Sequence, residues 1–186
     1  MALTPSTMLP LGTKAPHFKL SDTVSGKTMT LDELKSDKAT VIMFICNHCP
    51  FVKLIQHGLA AIAHDYQPKG IQFIAISSND VTTHPDDSPT KMKRVAEEAG
   101  YPFPYLYDET QEIAKAYNAA CTPDFFVFDK DLALVYRGRF DEATPGRDVP
   151  VTGKDMRTAL DAILAGKPVD PQQIPSQGCN IKWKAA

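Results

Sequence analysis

The chain has 186 residues, 43% of them hydrophobic, and a formal net charge of −2. That is enough apolar content for a proper core, and too even a charge for nucleic acid or an anionic membrane surface as partner. No apolar run approaches the roughly 20 residues of a membrane span, and Met1 to Gly12 lacks a charged segment followed by an apolar one, so the expected compartment is the cytosol. Four cysteines are too few for a disulfide scaffold, and a close pair in a reducing compartment points to redox or metal chemistry.

Residues 1–16 are rich in Pro, Thr and Gly without periodicity and read as an irregular lead-in. From His17 to Leu31 a loose alternation around Ser25-Gly26-Lys27 predicts a β-hairpin, followed by a short helical turn at Asp32 to Lys35. The run from Thr40 through Val41-Ile42-Met43-Phe44-Ile45 is β-branched and aromatic without alternation, as in a strand buried on both faces. Pro50 suits the first turn of a helix, and Phe51, Ile55, Leu59, Ile62 and Tyr66 form its apolar stripe up to Lys69-Gly70. Ile71 to Ser77 is a second core strand, so strand, helix and strand imply a right-handed crossover and a parallel pair.

The polar loop Asn79 to Pro89 carries His84, and Ser88-Pro89 opens a helix with Met92, Val95 and Ala99 inward, ended by Gly100. Tyr105 to Tyr107 is a short strand, and Asp108 caps a helix over Thr110 to Asn118. Phe125 to Phe128 and Leu132 to Arg137, separated by Asp129-Lys130-Asp131, predict an antiparallel hairpin. A terminal amphipathic helix spans Asp155 to Leu164, with Met156, Leu160 and Ile163 inward. Residues 167–186 form a tail whose Ile181 and Trp183 suggest docking on the domain. The whole chain, 1–186, reads as a single domain.

Cys46 and Cys49 fall where the buried strand meets the helix. Unsatisfied N–H groups and the positive end of the helix dipole favour a thiolate there. His48 adds a charge or hydrogen bond beside it, and the polar Asn47-His48 between the two sulfurs argues against full burial. The bland reading is a pair of buried small hydrophobes. Zinc would need more ligands from Cys121, Cys179 or His17, but no second Cys-x-x-Cys or His-x-x-x-His follows, so neither metal nor organic cofactor is expected.

Cys46-Asn47-His48-Cys49 between strand and helix, with Thr122-Pro123 ahead of an antiparallel hairpin, resembles the thioredoxin fold. The N-terminal hairpin and the insertion from Asn79 to Ala120 resemble its peroxiredoxin-like branch, the alkyl hydroperoxide reductase and thiol-specific antioxidant superfamily, over residues 12–166. The resemblance implies an α/β thioredoxin-like three-layer fold, a central mixed sheet flanked by helices with an N-terminal β-hairpin extension. It also implies a cis Thr122-Pro123 bond lying against the cysteines, whose backbone pairs with an extended substrate segment. Two departures stand out: counting back from Cys49, the family's Pro-x-x-x-Thr-x-x-Cys pattern meets Ile42 and Cys46, and the buried carboxylate of thioredoxins is replaced by Thr40.

The expected activity is thiol-disulfide exchange with protein or small-molecule disulfides, Cys46 attacking as the more exposed thiol and Cys49 displacing the reduced partner. One alternative is a peroxiredoxin-like peroxidase acting on hydroperoxides through a sulfenic acid. Another is a redox-inert binding module using the cleft and the Lys182-Trp183-Lys184 tail. Cys121, beside Thr122-Pro123, and Cys179, on the tail, each read either as a resolving thiol or as a packed residue. Arg137, Arg139 and Asp141 follow the last strand, where they could line the cleft although arginines there are usually solvated, and His57 and His64 read as helix-surface residues.

Overall fold

A computed structural model describes residues 3–186. Its centre is β4 (Ala39–Phe44), buried at every position as an unalternating apolar run requires. β4 pairs in parallel with β5 (Ile71–Ser77) on one side and antiparallel with β8 (Asp124–Asp129) on the other. β5 continues in parallel to β6 (Tyr105–Tyr107). The hairpin of β2 (Lys19–Asp22) and β3 (Thr28–Thr30) extends that edge, and β9 (Leu134–Tyr136) completes the other. The seven-stranded order is therefore β3-β2-β6-β5-β4-β8-β9.

Alternation along β4 separates two cores. Val41, Met43 and Ile45 face α2 (Pro50–Tyr66), α3 (Pro89–Ala99) and α5 (Lys154–Leu164). Ile42 and Phe44 face α1 (Leu31–Leu34) and α4 (Glu112–Ala116), with Tyr117, Phe126 and Phe128 filling the gap by edge-on ring contacts. Helices on both faces of a mixed sheet make the expected three layers.

The helix ends follow the sequence signals. Thr30 and Glu33 form a capping box on α1, Pro50 and Pro89 open α2 and α3, and Gly100 leaves α3 at φ 67°. Within α3 the buried face is Met92, Ala96 and Ala99, so Ala96 takes the place expected of the half-buried Val95. α4 is shorter than the predicted Thr110 to Asn118, because Gln111 adopts φ 65° and Asp108 reaches forward to accept from Ala114 N at 2.9 Å.

The termini differ from expectation. The lead-in is not wholly irregular: β1 (Leu3–Pro5) pairs with a tail strand, β10 (Gln177–Asn180), and β10 pairs in turn with β7 (Cys121–Thr122). Arg137 is not solvated either. It is fully buried, forked against the equally buried Asp124, with its guanidinium 3.8 Å from the Phe126 ring and Nη2 donating to Thr7 O at 3.1 Å. Arg139 pairs with Asp155 at 2.5 Å, and Asp141 accepts from Thr152 N and Gly153 N at 2.7 Å, which fixes the entry to α5. His57 and His64 lie exposed on α2, as expected.

Candidate active site

Cys46 leaves β4 two residues after its end, and Cys49 becomes the N-cap of α2 with extended backbone angles and no side-chain cap. Its sulfur therefore lies where the helix presents unsatisfied N–H groups. The Thr122-Pro123 bond is cis, and Thr122 Oγ1 lies 3.4 Å from Cys46 Sγ. Cys49 Sγ is 3.3 Å from Thr122 O and 2.7 Å from Cys179 Sγ, against a covalent S–S bond of about 2.05 Å. Three sulfurs thus meet beside the cis proline.

The thiols are unequal, and not in the expected order. Cys49 is pulled down to about 5, first by a hydrogen bond from Cys46 and then, against the opposing effect of burial, by Cys179 and the backbone N–H groups of Val52 and Cys179. Cys46 is pushed well up because it gives that hydrogen bond, is buried, and lies near the Asp87 carboxylate. The exposure expected of the attacking thiol is corrected: Cys46 is 2% exposed and Cys49 0%, so neither sulfur is open to solvent. Asn47 is also buried, so the polar pair between the cysteines does not keep them open to solvent.

Asp87 explains why, and the sequence reading missed it. It arrives on a 3-10 turn, Pro85–Asp87, fully buried. Its Oδ1 accepts from Asn47 N at 2.8 Å and His48 N at 3.2 Å. Its Oδ2 accepts from Asn79 Nδ2 at 2.8 Å and pairs with His48 Nδ1 at 2.5 Å. Asn47 Nδ2 donates to Asp86 O at 2.9 Å, so the turn is strapped to the loop after β5, and Tyr105 Oη on β6 donates to Asn47 Oδ1 at 3.0 Å. Nothing local in Asp86-Asp87-Ser88-Pro89 marks that aim, since acidic residues ahead of a helix read as ordinary N-terminal charge.

His48 lies near Cys46, but its ring nitrogen Nδ1 is committed to Asp87. Its proton is held by Asp87, whose hydrogen bond raises it despite burial and the nearby Lys182. Burial pushes Asp87 up, but the hydrogen bonds from His48 and Asn79 outweigh it and leave the carboxyl low. The His48 ring stacks on His84, 5.1 Å away, and its buried Nε2 has no partner among the described residues.

Cys46, His48 and Asp87 stand close enough for a metal, but the donor set does not fit one. Both Asp87 oxygens are taken by N–H groups, and His48 Nδ1 is committed to Asp87. His17 faces Asp32 at 3.7 Å on the surface. Cys121 gives its hydrogen to Pro123 O at 3.6 Å, and burial pushes its thiol far up, which suits a packed residue rather than a reactive one. Of the two candidate resolving thiols, Cys179 alone touches Cys49.

Fold and site together define a thioredoxin-fold protein with a buried dithiol at a helix N-terminus. Residues 11–137 match the AhpC/TSA family, and the chain belongs to it. An uncharacterized conserved protein from Geobacillus kaustophilus is 60% identical, with a TM-score of 0.98 over 100% of this chain and 98% of that one. Thiol-disulfide oxidoreductase ResA of Bacillus thuringiensis is 26% identical over 121 residues, and the chain spans 65% of that relative's length, as the match does of this chain. The thioredoxin domain of a thiol-disulfide oxidoreductase from Bacteroides vulgatus shares the fold, with a TM-score of 0.59 and 18% identity over 70% of this chain and 91% of that one.

Proposed function

We propose that this thioredoxin-fold oxidoreductase exchanges disulfides through Cys46 and Cys49, with Cys49 as the attacking thiolate. The observation that carries it is the placement of Cys49 as the N-cap of α2 beside the cis Thr122-Pro123 bond, where its thiol is drawn below the ordinary value. Cys49 attacks a partner disulfide, and Cys46, three residues before it, displaces the reduced partner to leave a Cys46–Cys49 disulfide. A strongly stabilised thiolate makes that disulfide oxidising. A cavity of about 310 Å³ is lined by Pro123, Phe51 and Phe125 and by the charged Arg139, Glu142 and Arg147, and suits a partner segment with both apolar and charged groups beside its cysteine.

One observation favours a second reading. Cys49, not Cys46, is the cysteine that aligns with Pro-x-x-x-Thr-x-x-Cys, and it is the one held as thiolate, so peroxide reduction through a Cys49 sulfenic acid is the alternative. Ile42 and Cys46 in place of Pro and Thr weigh against it.

Rapid mixing of the reduced protein with a disulfide or with hydrogen peroxide separates the two. Faster oxidation by disulfide, lost in Cys49→Ser and arrested as a mixed disulfide in the double variant Cys46→Ser/Cys179→Ser, supports exchange. The reverse ranking supports the peroxidase, and thiols inert to both would leave only a binding module. A cytosolic location belongs to the same proposal and is checked by cell fractionation.

A further inference from the structure

The resemblance to thioredoxins implies an open backbone edge beside Thr122-Pro123 for an extended substrate. That edge is filled. β10 lies antiparallel to β7 with Cys179 opposite Thr122 and Asn180 opposite Cys121, and Ser176 Oγ donates to Pro123 O at 2.7 Å.

The approach is so close that only glycine fits at position 178, because a Cβ there would stand 2.0 Å from Thr122 O. The strand is also anchored on both sides. β1 pairs along its other edge, while beyond it Lys182 N donates to Asn79 Oδ1 at 2.9 Å and Asp80 N donates to Lys182 O at 2.8 Å. An incoming protein disulfide would occupy this edge by strand addition and set its sulfur on Cys49. In this structure the sulfur set there is Cys179.

We infer that the C-terminal strand is the protein's own substrate: β10 fills the polypeptide edge beside the cis proline and delivers Cys179 to Cys49 as a third exchanging thiol. The inference rests on the exchange proposed above. Starting from the Cys46–Cys49 disulfide, the Cys179 sulfur attacks Cys49 Sγ, the Cys49–Cys179 bond forms, and the Cys46–Cys49 bond breaks. Cys46 leaves as thiolate and takes up the proton that Cys179 gives off, so no outside oxidant or reductant enters the step. Burial, the largest influence holding the Cys179 thiol up, remains, while the hydrogen bond and charge from Cys49 vanish once Cys49 is oxidised. The product is a tail covalently clipped over the edge that β10 already occupies in the reduced chain.

Trypsin leaves Cys46 and Cys49 on one peptide and Cys179 on another, since no Lys or Arg lies between 46 and 49. The full chain is reduced, oxidised with one equivalent of oxidised glutathione, quenched in acid, alkylated, digested and mapped by mass spectrometry. The wild type is expected to give both the internal Cys46–Cys49 form and a cross-linked Cys49–Cys179 pair. Cys46→Ser should give the cross-link with glutathione released, and Gly178→Ala, which pushes the strand off, should give only the internal form after oxidation and, in its separately prepared reduced state, alkylate several-fold faster at Cys49. Glutathione retained on Cys49 in Cys46→Ser, with Cys179 alkylated, overturns the inference. An internal Cys46–Cys49 form without any cross-link overturns the tail's role alone, whereas absence of both forms overturns the proposed exchange as well.

Discussion

At Cys49 the chemistry is a contest between burial, which raises a thiol, and the N–H and S–H donors that converge on it. The donors win, leaving the thiolate near 5. Thiolate absorbance near 240 nm is therefore expected to titrate with a midpoint close to that value, and Cys46→Ala, which removes the largest stabilising contact, should move the midpoint up. The His48–Asp87 pair makes a second prediction at this scale. His48 is raised on folding, so its contribution to stability is full below the ordinary histidine value and is lost as pH rises through its higher folded value. Asp87 is lowered, so its contribution is full above the ordinary carboxylate value and is lost as pH falls through its depressed one. Denaturant midpoints of Asp87→Asn and wild type should differ most between those two ordinary values, about pH 4 to 6.5, and converge on either side. A constant difference across pH would show that packing, not charge, holds the turn.

The elements were legible where a local signal decides them. The unalternating run of β4, the stripe of α2 and the proline and glycine ends of α2 and α3 all follow from side-chain period and backbone stereochemistry. Gly100 illustrates this, since it sits at φ 67° with nothing within 4 Å of its Cβ position. Gly100→Ala should cost about 1–2 kcal/mol by backbone strain alone, measured by urea unfolding, whereas an unchanged midpoint would mean the left-handed residue is dispensable there. Leu59, fully buried in the α2 stripe, belongs to the packing side of the same element. Leu59→Ala should lose about 2–5 kcal/mol while leaving the Cys49 midpoint where it is.

Across the molecule, distant segments converge on the loop that carries Thr122-Pro123. Asp124 accepts from Ala120 N at 3.0 Å and is forked by Arg137, whose other contacts reach Thr7 and Phe126. Removing one member strands a buried charge, so Asp124→Ala should destabilise the fold by about 3–5 kcal/mol. The double variant Asp124→Ala/Arg137→Met should recover part of that loss in the same unfolding assay. Full recovery by Arg137→Met would show that the ion pair serves the fold only weakly. Glycine 178 and β1 tie the tail to this same loop, so the two ends of the described chain meet at the site.

The amino-acid order alone determined the layers, the central strand, the placement of Cys46 and Cys49 at the head of a helix, and the proline opposite them. The strand and the helix head depend on neighbours within a few residues, whereas the layers and the proline opposite the cysteines follow from the family resemblance that the Cys-x-x-Cys and Thr-Pro motifs carry. Only tertiary structure decided which sulfur is the thiolate, because the deciding donors include Cys179, which is 130 residues from Cys49 along the chain. It also decided that Asp87 grips the Cys-x-x-Cys turn and that Arg137 is buried, since a charged side chain carries no mark of its partner until the chain has folded around both. The covered cleft has the same cause: strand pairing is made by backbone groups common to every residue, and composition cannot say which edge the tail will take.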